Sequence, residues 1–326
     1  MINTLNRTLH RFKLFIDRNP PPGGFRFWIT LLSLTFVLYT LCSNSGKLTE
    51  VIISENTAFW LVLGFLIGLF SLWMNAIAWK ILLSWLGYSS NKLDIISLYL
   101  SSNLLKYLPG GIWHFVERLR GLRNYMGADK ALSSVLLEPL LMAAAALLLV
   151  PFGGLHSGAA LVCTIPAIFF APRFRQPLIR SLESLKANQL ERLYSETRFA
   201  GSMDGLAVGK IDYPFKALSA EMLFVVLRFG GFWCCLKALS IDSAIPLLDW
   251  LAAFSLAWTI GLVVPAAPGG VGVFEAALLI RVGSFVPEAP LLLALICYRF
   301  LVTLGDLMAA FGVSVRRRFV RRHLIK

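Results

Sequence analysis

Residues 131–152 read ALSSVLLEPLLMAAAALLLVPF, and Glu138 is the only charged side chain among them. A helix needs ~20 consecutive, mostly apolar residues to cross the hydrocarbon core of a bilayer, so this run is long enough to span it. Comparable runs lie at 25–43, 59–77 and 291–315. Barrel strands alternate apolar and polar residues over ~10-residue segments, and these runs do not alternate. The sequence therefore predicts an all-α polytopic membrane protein.

The overall composition excludes most other classes. With 57% hydrophobic and 15% charged residues, the chain lacks the polar side chains that a water-exposed surface requires. All five cysteines lie in apolar stretches, without a CxxC pair or a histidine at metal-ligand spacing, so we expect membrane-buried thiols. We expect no metal and no cofactor. The sequence has no nucleophile and base in a catalytic pattern, so we expect no enzyme activity and assign no catalytic residue.

The net charge of +13 suggests nucleic acid at first, but its distribution favours a membrane explanation. Residues 314–326 carry six basic side chains and no acidic one, and 1–26 carry five against Asp17. Basic residues concentrate on the cytoplasmic side of membrane proteins. We therefore expect both termini in the cytoplasm, a location in the plasma or inner cell membrane, and no nucleic-acid partner. The same rule makes 106–130 and 173–216 cytoplasmic.

The hydrophobic pattern predicts about eight hydrophobic segments, of which six are full transmembrane helices. These six lie near 25–43, 57–83, 131–152, 155–171, 215–239 and 290–313. Two further segments are interrupted by proline and glycine, and we predict that each forms a re-entrant hairpin. The predicted organisation is a basic N-terminal segment (1–24), a first membrane half (25–172), a cytoplasmic linker (173–213), a second membrane half (214–315) and a basic tail (316–326).

The two interrupted segments share a motif. One reads PGGIWHFVE at 109–117 and the other PGGVGVFE at 268–275, so that proline, both glycines and a phenylalanine align. Proline removes a backbone donor, and glycine permits conformations closed to other residues, so each motif predicts a helix break. The N–H groups and the dipole at the start of the next helix favour an anion, such as a lipid phosphate.

The charge pattern makes the first hairpin open from the cytoplasm and the second from outside. This is the arrangement of an inverted repeat, in which broken helices meet near the midplane and form a substrate site. The simpler alternative for either motif alone is a tight turn between helices, because glycine and proline are common in membrane helices.

Charged residues within apolar runs are costly and usually face a partner or a cavity. Glu221 and Arg228 are seven residues apart, as are Arg299 and Asp306, and we interpret both as structural ion pairs on one helix face. Glu275 lies directly after the second break and is a functional candidate. His114, inside the first motif, is either an interfacial residue or a group for proton coupling or head-group contact.

Two stretches resemble a known family. KYLPGGIWHFVER at 106–118, and VPAAPGGVGVFE at 264–275 followed by Tyr298 and Arg299, are similar to the lysylphosphatidylglycerol synthase transmembrane-region family. That family includes the flippase-like membrane half of the bacterial multiple peptide resistance factor. The resemblance implies lipid handling and points to these positions as site residues: Pro268, Gly269, Gly270, Gly272 and Glu275, with Pro109, Gly110 and Arg118. No aminoacyl-transferase domain follows Lys326, so we expect no synthase activity.

Our leading hypothesis is flippase-like translocation of an anionic or phosphate-bearing lipid, either a phospholipid or a polyisoprenyl phosphate. The candidate substrate-binding residues are Pro109, Gly110, Gly111, His114, Glu117, Arg118, Pro268, Gly269, Gly270, Gly272, Glu275 and Arg299. A second hypothesis is a non-catalytic membrane partner of a glycosyltransferase or another lipid-modifying enzyme. A third, less favoured, is a transferase acting on a lipid head group.

Overall fold

The computed structural model describes residues 56–88, 93–107, 112–153, 157–171, 212–263 and 272–324. Its helices are α1 (Thr57–Trp85), α2 (Ile95–Asn103), α3 (Trp113–Met126), α4 (Ala128–Leu149), α5 (Ser157–Ile168), α6 (Phe215–Ala238), α7 (Leu247–Val263), α8 (Val273–Val282) and α9 (Glu288–Leu324). Short 3-10 turns at Leu104–Tyr107 and Val150–Gly153 extend α2 and α4. The all-α prediction is confirmed. The predicted N-terminal segment, the span at 25–43, almost all of the linker and both Pro-Gly-Gly sequences lie outside the described residues.

In the described part of the chain, four helices are long and apolar enough to cross a membrane. They are Thr57–Trp85, Lys130–Gly153, Phe215–Ala238 and Glu288–Arg317, and they confirm the spans predicted near 57–83, 131–152, 215–239 and 290–313. The span predicted near 155–171 is different, since α5 has 12 residues. A helix of that length rises ~18 Å, which is short of the ~30 Å hydrocarbon core. The predicted number of six full spans is therefore not confirmed.

Contacts at the helix ends fix the relative directions of α1, α4 and α6. The hydroxyl of Thr57 donates to the carbonyl of Ala238 over 2.9 Å, so the start of α1 lies against the end of α6 and the two helices are antiparallel. A Cβ placed on Gly87 would be 3.4 Å from Nζ of Lys130, so α4 starts where α1 ends. Because α4 rises from the end of α1, it is parallel to α6.

Each half of the described fold consists of a long helix, a hairpin and a second long helix. In the first half, α2 and α3 form the hairpin between α1 and α4; in the second, α7 and α8 form it between α6 and α9. Because α1 and α6 are antiparallel, the two hairpins enter from opposite ends of the long helices. The described residues thus have the order and directions of an inverted repeat, as the motifs predicted.

Close contacts align the arms of both hairpins. The first arm begins at Ile95 because the side chain of Asp94 caps it by accepting from the N–H of Ser97 over 3.0 Å. Further along, a Cβ on Gly121 of α3 would lie 2.7 Å from Cδ2 of Leu98, so glycine lets α3 approach α2. In the second hairpin, a Cβ on Gly261 would lie 3.3 Å from Cβ of Phe274.

The first hairpin enters the membrane region without crossing it. Asp94 pairs with Arg316 over 3.0 Å, and the hydroxyls of Tyr107 and Thr303 are 3.3 Å apart, so this arm runs antiparallel to α9. Thirteen helical residues separate Arg316 from Thr303, a rise of ~20 Å. Thr303 lies at the middle of the apolar part of α9, Glu288–Arg317. The arm therefore ends near the midplane, in agreement with the predicted re-entrant hairpin.

Glycine brings α1 and α6 into close contact. A Cβ on Gly64 would lie 3.0 Å from Cβ of Cys234 and 3.2 Å from the carbonyl oxygen of Gly231. In membranes, small residues let helix backbones approach because lipid supplies no hydrophobic driving force between helices. One turn along α1, a Cβ on Gly68 would meet nothing within 4 Å.

This contrast predicts opposite effects of the same substitution. We expect Gly64→Ala to lower the thermal unfolding midpoint in detergent, because overpacking costs ~1–3 kcal/mol. We expect Gly68→Ala to leave the midpoint unchanged or to raise it, since alanine exceeds glycine in helix stability by ~0.5–1 kcal/mol. Circular dichroism melts of both variants check this. Equal destabilisation by the two would contradict the tight α1–α6 contact.

Candidate functional site

The end of the first arm of the first hairpin is held to α9 by one carboxylate. Asp306 is 1% exposed and accepts a hydrogen bond from the Asn103 amide over 2.8 Å. Its other oxygen accepts from the Tyr107 hydroxyl over 2.7 Å and pairs with Nζ of Lys106 at the same distance. A carboxylate at this depth is stable only with such partners, because lipid supplies none.

The start of α8 is held to α9 by a second carboxylate. Glu275 accepts from the backbone N–H of Gly272 over 2.6 Å and from Nε of Arg299 over 2.7 Å. Gly272 has a φ of 85°, a conformation that other residues rarely adopt. The glycine and the glutamate of the motif therefore have linked roles, since the glycine shapes the helix start and the glutamate caps it and binds α9.

The predicted pair of Arg299 with Asp306 is wrong. Arg299 pairs with Glu275, and Asp306 pairs with Lys106. Residues seven apart on a helix share a face but are separated by ~10 Å along its axis, so each side chain bonds to a hairpin arm instead.

Arg228 lies near the middle of α6 and is 6% exposed. Its guanidinium group is 5.3 Å from the centre of the Phe224 ring and interacts electrostatically with Lys106, Tyr107 and Tyr298. Among the described residues, no carboxylate lies within ion-pair distance of it, and neither oxygen of Glu221 has a hydrogen-bond partner. The predicted pair of Glu221 with Arg228 is therefore wrong.

These groups form one central polar site, which we define by Lys106, Arg228, Glu275, Arg299 and Asp306. Ionised, its three cations and two carboxylates leave one net positive charge among the described side chains. Lys106 and Arg299 keep 22% and 29% of their side-chain surface exposed, whereas both carboxylates are buried. The site lies where the first arm of the first hairpin (α2) ends and the second arm of the second hairpin (α8) begins. A positive charge that is partly exposed at this depth attracts an anion.

A second buried group, the Arg118 cluster, consists of Trp79, Tyr99, Ser102, Arg118 and Glu138. Nη1 of Arg118 contacts Glu138 at 2.5 Å, and Nε donates to the Ser102 hydroxyl over 3.1 Å. The guanidinium lies 3.8 Å from the centre of the Tyr99 ring, and the Tyr99 hydroxyl donates to Glu138 over 2.7 Å. This cluster joins α1 and both arms of the first hairpin to α4.

The structure separates the predicted site residues. Gly272, Glu275 and Arg299 lie together at the central polar site, but Arg118 lies in its own cluster. Glu117 is half-buried, and none of the described residues forms an ion pair with it. The His114 ring contacts the Phe115 ring at an interplanar angle of 41°, with ring centres 3.8 Å apart. The remaining predictions lie outside the described residues: Pro109, Gly110, Gly111, Pro268, Gly269 and Gly270.

Several site residues were missing from the predicted set. Lys106, Arg228 and Asp306 contribute charge to the central polar site, and Glu138 completes the Arg118 cluster. Apart from Lys106, they are charged residues within apolar runs, and that position was the available signal. Lys106 lies three residues before Pro109, the start of the first motif. The described residues contain no group of three or more His, Cys, Asp or Glu side chains that could hold a metal ion.

Comparison with known families agrees with the motifs. The family model described as the lysylphosphatidylglycerol synthase TM region matches residues 27–309, most of the chain. The predicted resemblance is therefore confirmed, and the match indicates a lipid-related role in a membrane. No curated protein matches the sequence.

Removing one member of the buried ion pair tests the Arg118 cluster. We expect Arg118→Met to destabilise the protein by ~3–5 kcal/mol, because it leaves the Glu138 carboxylate buried without its cation. We expect the double variant Arg118→Met with Glu138→Met to be more stable than Arg118→Met alone. Unfolding midpoints in detergent measure both effects. A double variant that is less stable than the single variant would contradict this account.

Proposed function

The chain belongs to the lysylphosphatidylglycerol synthase transmembrane-region family, and on this premise we propose that it moves a lipid with an anionic, phosphate-bearing head group across the membrane. The observation that carries the proposal is the excess positive charge of the central polar site. Arg228 is its most informative member, because it is buried at mid-membrane and no described carboxylate pairs with it.

Phosphate chemistry suits these cations. A guanidinium presents a planar set of donors that can bind two phosphate oxygens at once, and an ammonium adds a compact charge. Lys106 and Arg299 are already paired with Asp306 and Glu275, and these carboxylates hold the two cations in place. A head-group phosphate would supply the anion that no described residue provides for Arg228 and would bring the site close to neutral.

The two hairpins suggest how access would alternate. One approaches the site from the end of α1 and the other from the end of α6, and these ends face opposite sides of the membrane. In inverted-repeat transporters, the two halves move against each other around a midplane site. Here α9 bonds to both hairpins, through Asp306 and Arg299. Movement of α9 relative to either hairpin would open the site to one side.

Lipid transfer in proteoliposomes tests the proposal. We expect the wild-type protein to move labelled phosphatidylglycerol or a polyisoprenyl phosphate between leaflets. Arg228→Gln and Glu275→Gln should slow this by about tenfold or more, since a hydrogen bond to a charged group contributes ~1.5–3 kcal/mol. The matched control is Arg281→Gln, which removes an exposed arginine at the end of α8 and should leave the rate unchanged.

Equal reconstitution of all variants is the second control. Transfer by Arg228→Gln at the wild-type rate, or no transfer of any probe by the wild type, would refute the translocation proposal. The second outcome would favour the alternative of a non-catalytic partner for a glycosyltransferase or lipid-modifying enzyme. A chemically altered probe in the lipid extract would instead indicate a head-group transferase.

A further inference from the structure

Glu221 is a buried acid that has no partner among the described residues. It lies on α6 and has no exposed surface, and neither carboxylate oxygen has a hydrogen-bond partner in the described part of the chain. An ionised carboxylate in this state loses its hydration without compensation, which costs several kcal/mol or more. Such a group is stable when it binds a proton, because the neutral acid carries no net charge.

The neighbours of Glu221 are complementary to a neutral acid. Thr57 bonds to Ala238, and Gly64 lies against Gly231, so the antiparallel register places Asn75 level with Glu221 and Trp79 about one turn further along α1. Both are buried, and the Asn75 oxygen Oδ1 and the Trp79 nitrogen Nε1 have no partner among the described residues. None of these atoms is bonded to Glu221 in the structure, but a protonated Glu221 has an O–H donor that matches the asparagine oxygen and an acceptor that matches the indole N–H.

The charge balance around Glu221 also favours its protonated form. Glu221 interacts electrostatically with Glu138, Arg118 and Tyr99, which lie on α4, α3 and α2. Two carboxylates therefore share one guanidinium, and Arg118 is bonded to Glu138. The ion pair of Arg118 with Glu138 has no net charge, so an ionised Glu221 would add one uncompensated negative charge.

The other described helices packed on α6 bring no second cation to the level of Glu221. From α1 the facing side chains are Asn75 and Trp79, and Lys80 is exposed. On α7 the acid is Asp249, at the opposite end of α6. On α9 the facing charges are Arg299 and Asp306, which belong to the central polar site, and on α6 itself Arg228 is two turns away.

We propose that Glu221 is a proton-binding site, loaded from the water at the nearby end of α6. Phe215 begins that helix, so Glu221 lies ~9 Å along it. Binding forms one O–H bond on the carboxylate and breaks one in hydronium or water. Release leaves an anion that competes with Glu138 for Arg118. The acid therefore has two states, neutral with Arg118 on Glu138, or ionised with Arg118 drawn towards Glu221.

The proton site has a direct structural link to the central polar site through α2. Tyr99 and Ser102 bond to Glu138 and Arg118, and Asn103, the next residue, bonds to Asp306. A shift of Arg118 would pull on α2 and hence on the Asp306 contacts. Proton release at Glu221 would then alter the lipid site, a consequence that rests on the proposed translocation.

Infrared spectroscopy of the full chain in liposomes tests proton binding without any transport. In sodium-free potassium buffer at neutral pH, we expect a carbonyl stretch from one protonated carboxylic acid. Glu221→Gln should remove the band, Glu221→Asp should shift it, and the control Glu288→Gln, at an exposed acid, should leave it. Glu138→Gln should also remove it, because Arg118 is then free to pair with an ionised Glu221.

Three results would overturn the proposal: no such band in the wild type, a band unchanged in Glu221→Gln, or a band that sodium abolishes. The last would assign the site to a metal cation. A band retained in Glu138→Gln would show that Arg118 does not exchange between the acids. Lipid transfer under a pH gradient then separates the two proposals. A band without transfer refutes translocation alone, and transfer without a band refutes the proton site alone.

Discussion

The carboxylate of Asp306 is the contact on which the membrane interior of this protein depends. It receives bonds from Asn103, Lys106 and Tyr107, so it fixes the end of the first hairpin to the middle of α9. Seven residues earlier, Arg299 fixes the start of α8 to the same helix. Because lipid offers no hydrogen bonds, backbone that breaks at this depth must be held by the protein. One helix thereby holds one arm of each hairpin.

The two halves use the same arrangement with the charges exchanged. In the first half, Arg118 on the second hairpin arm pairs with Glu138 on the following long helix; in the second half, Glu275 occupies the arm and Arg299 the helix. The surroundings differ, because the Arg118 cluster is closed by Trp79 and Tyr99, whereas Arg299 remains partly exposed. One ion pair therefore stabilises the fold, and its counterpart borders the site that has excess positive charge.

The sequence predicted the parts of the fold that depend on local pattern. Four apolar runs became long helices, and the two proline–glycine motifs marked hairpins that approach from opposite sides. The sequence did not predict which of several neighbouring helices a charged side chain bonds to. The heptad spacing of Arg299 and Asp306 suggested a mutual pair, yet each bonds to a hairpin arm. Likewise, Arg228 belongs to the central polar site because it lies near Lys106, which is remote in sequence. The short α5 shows that an apolar run sets an upper limit on helix length.

Native mass spectrometry of the purified chain shows whether the central polar site binds a phosphate-bearing head group. Phosphatidylglycerol and a diacylglycerol with the same acyl chains differ in the phosphate-bearing head group. We expect the wild type to retain phosphatidylglycerol preferentially, and the double variant Lys106→Gln with Arg228→Gln to lose this preference while it still binds both lipids weakly. Equal retention of the two lipids by the wild type, or an unchanged preference in the double variant, would contradict head-group binding at this site.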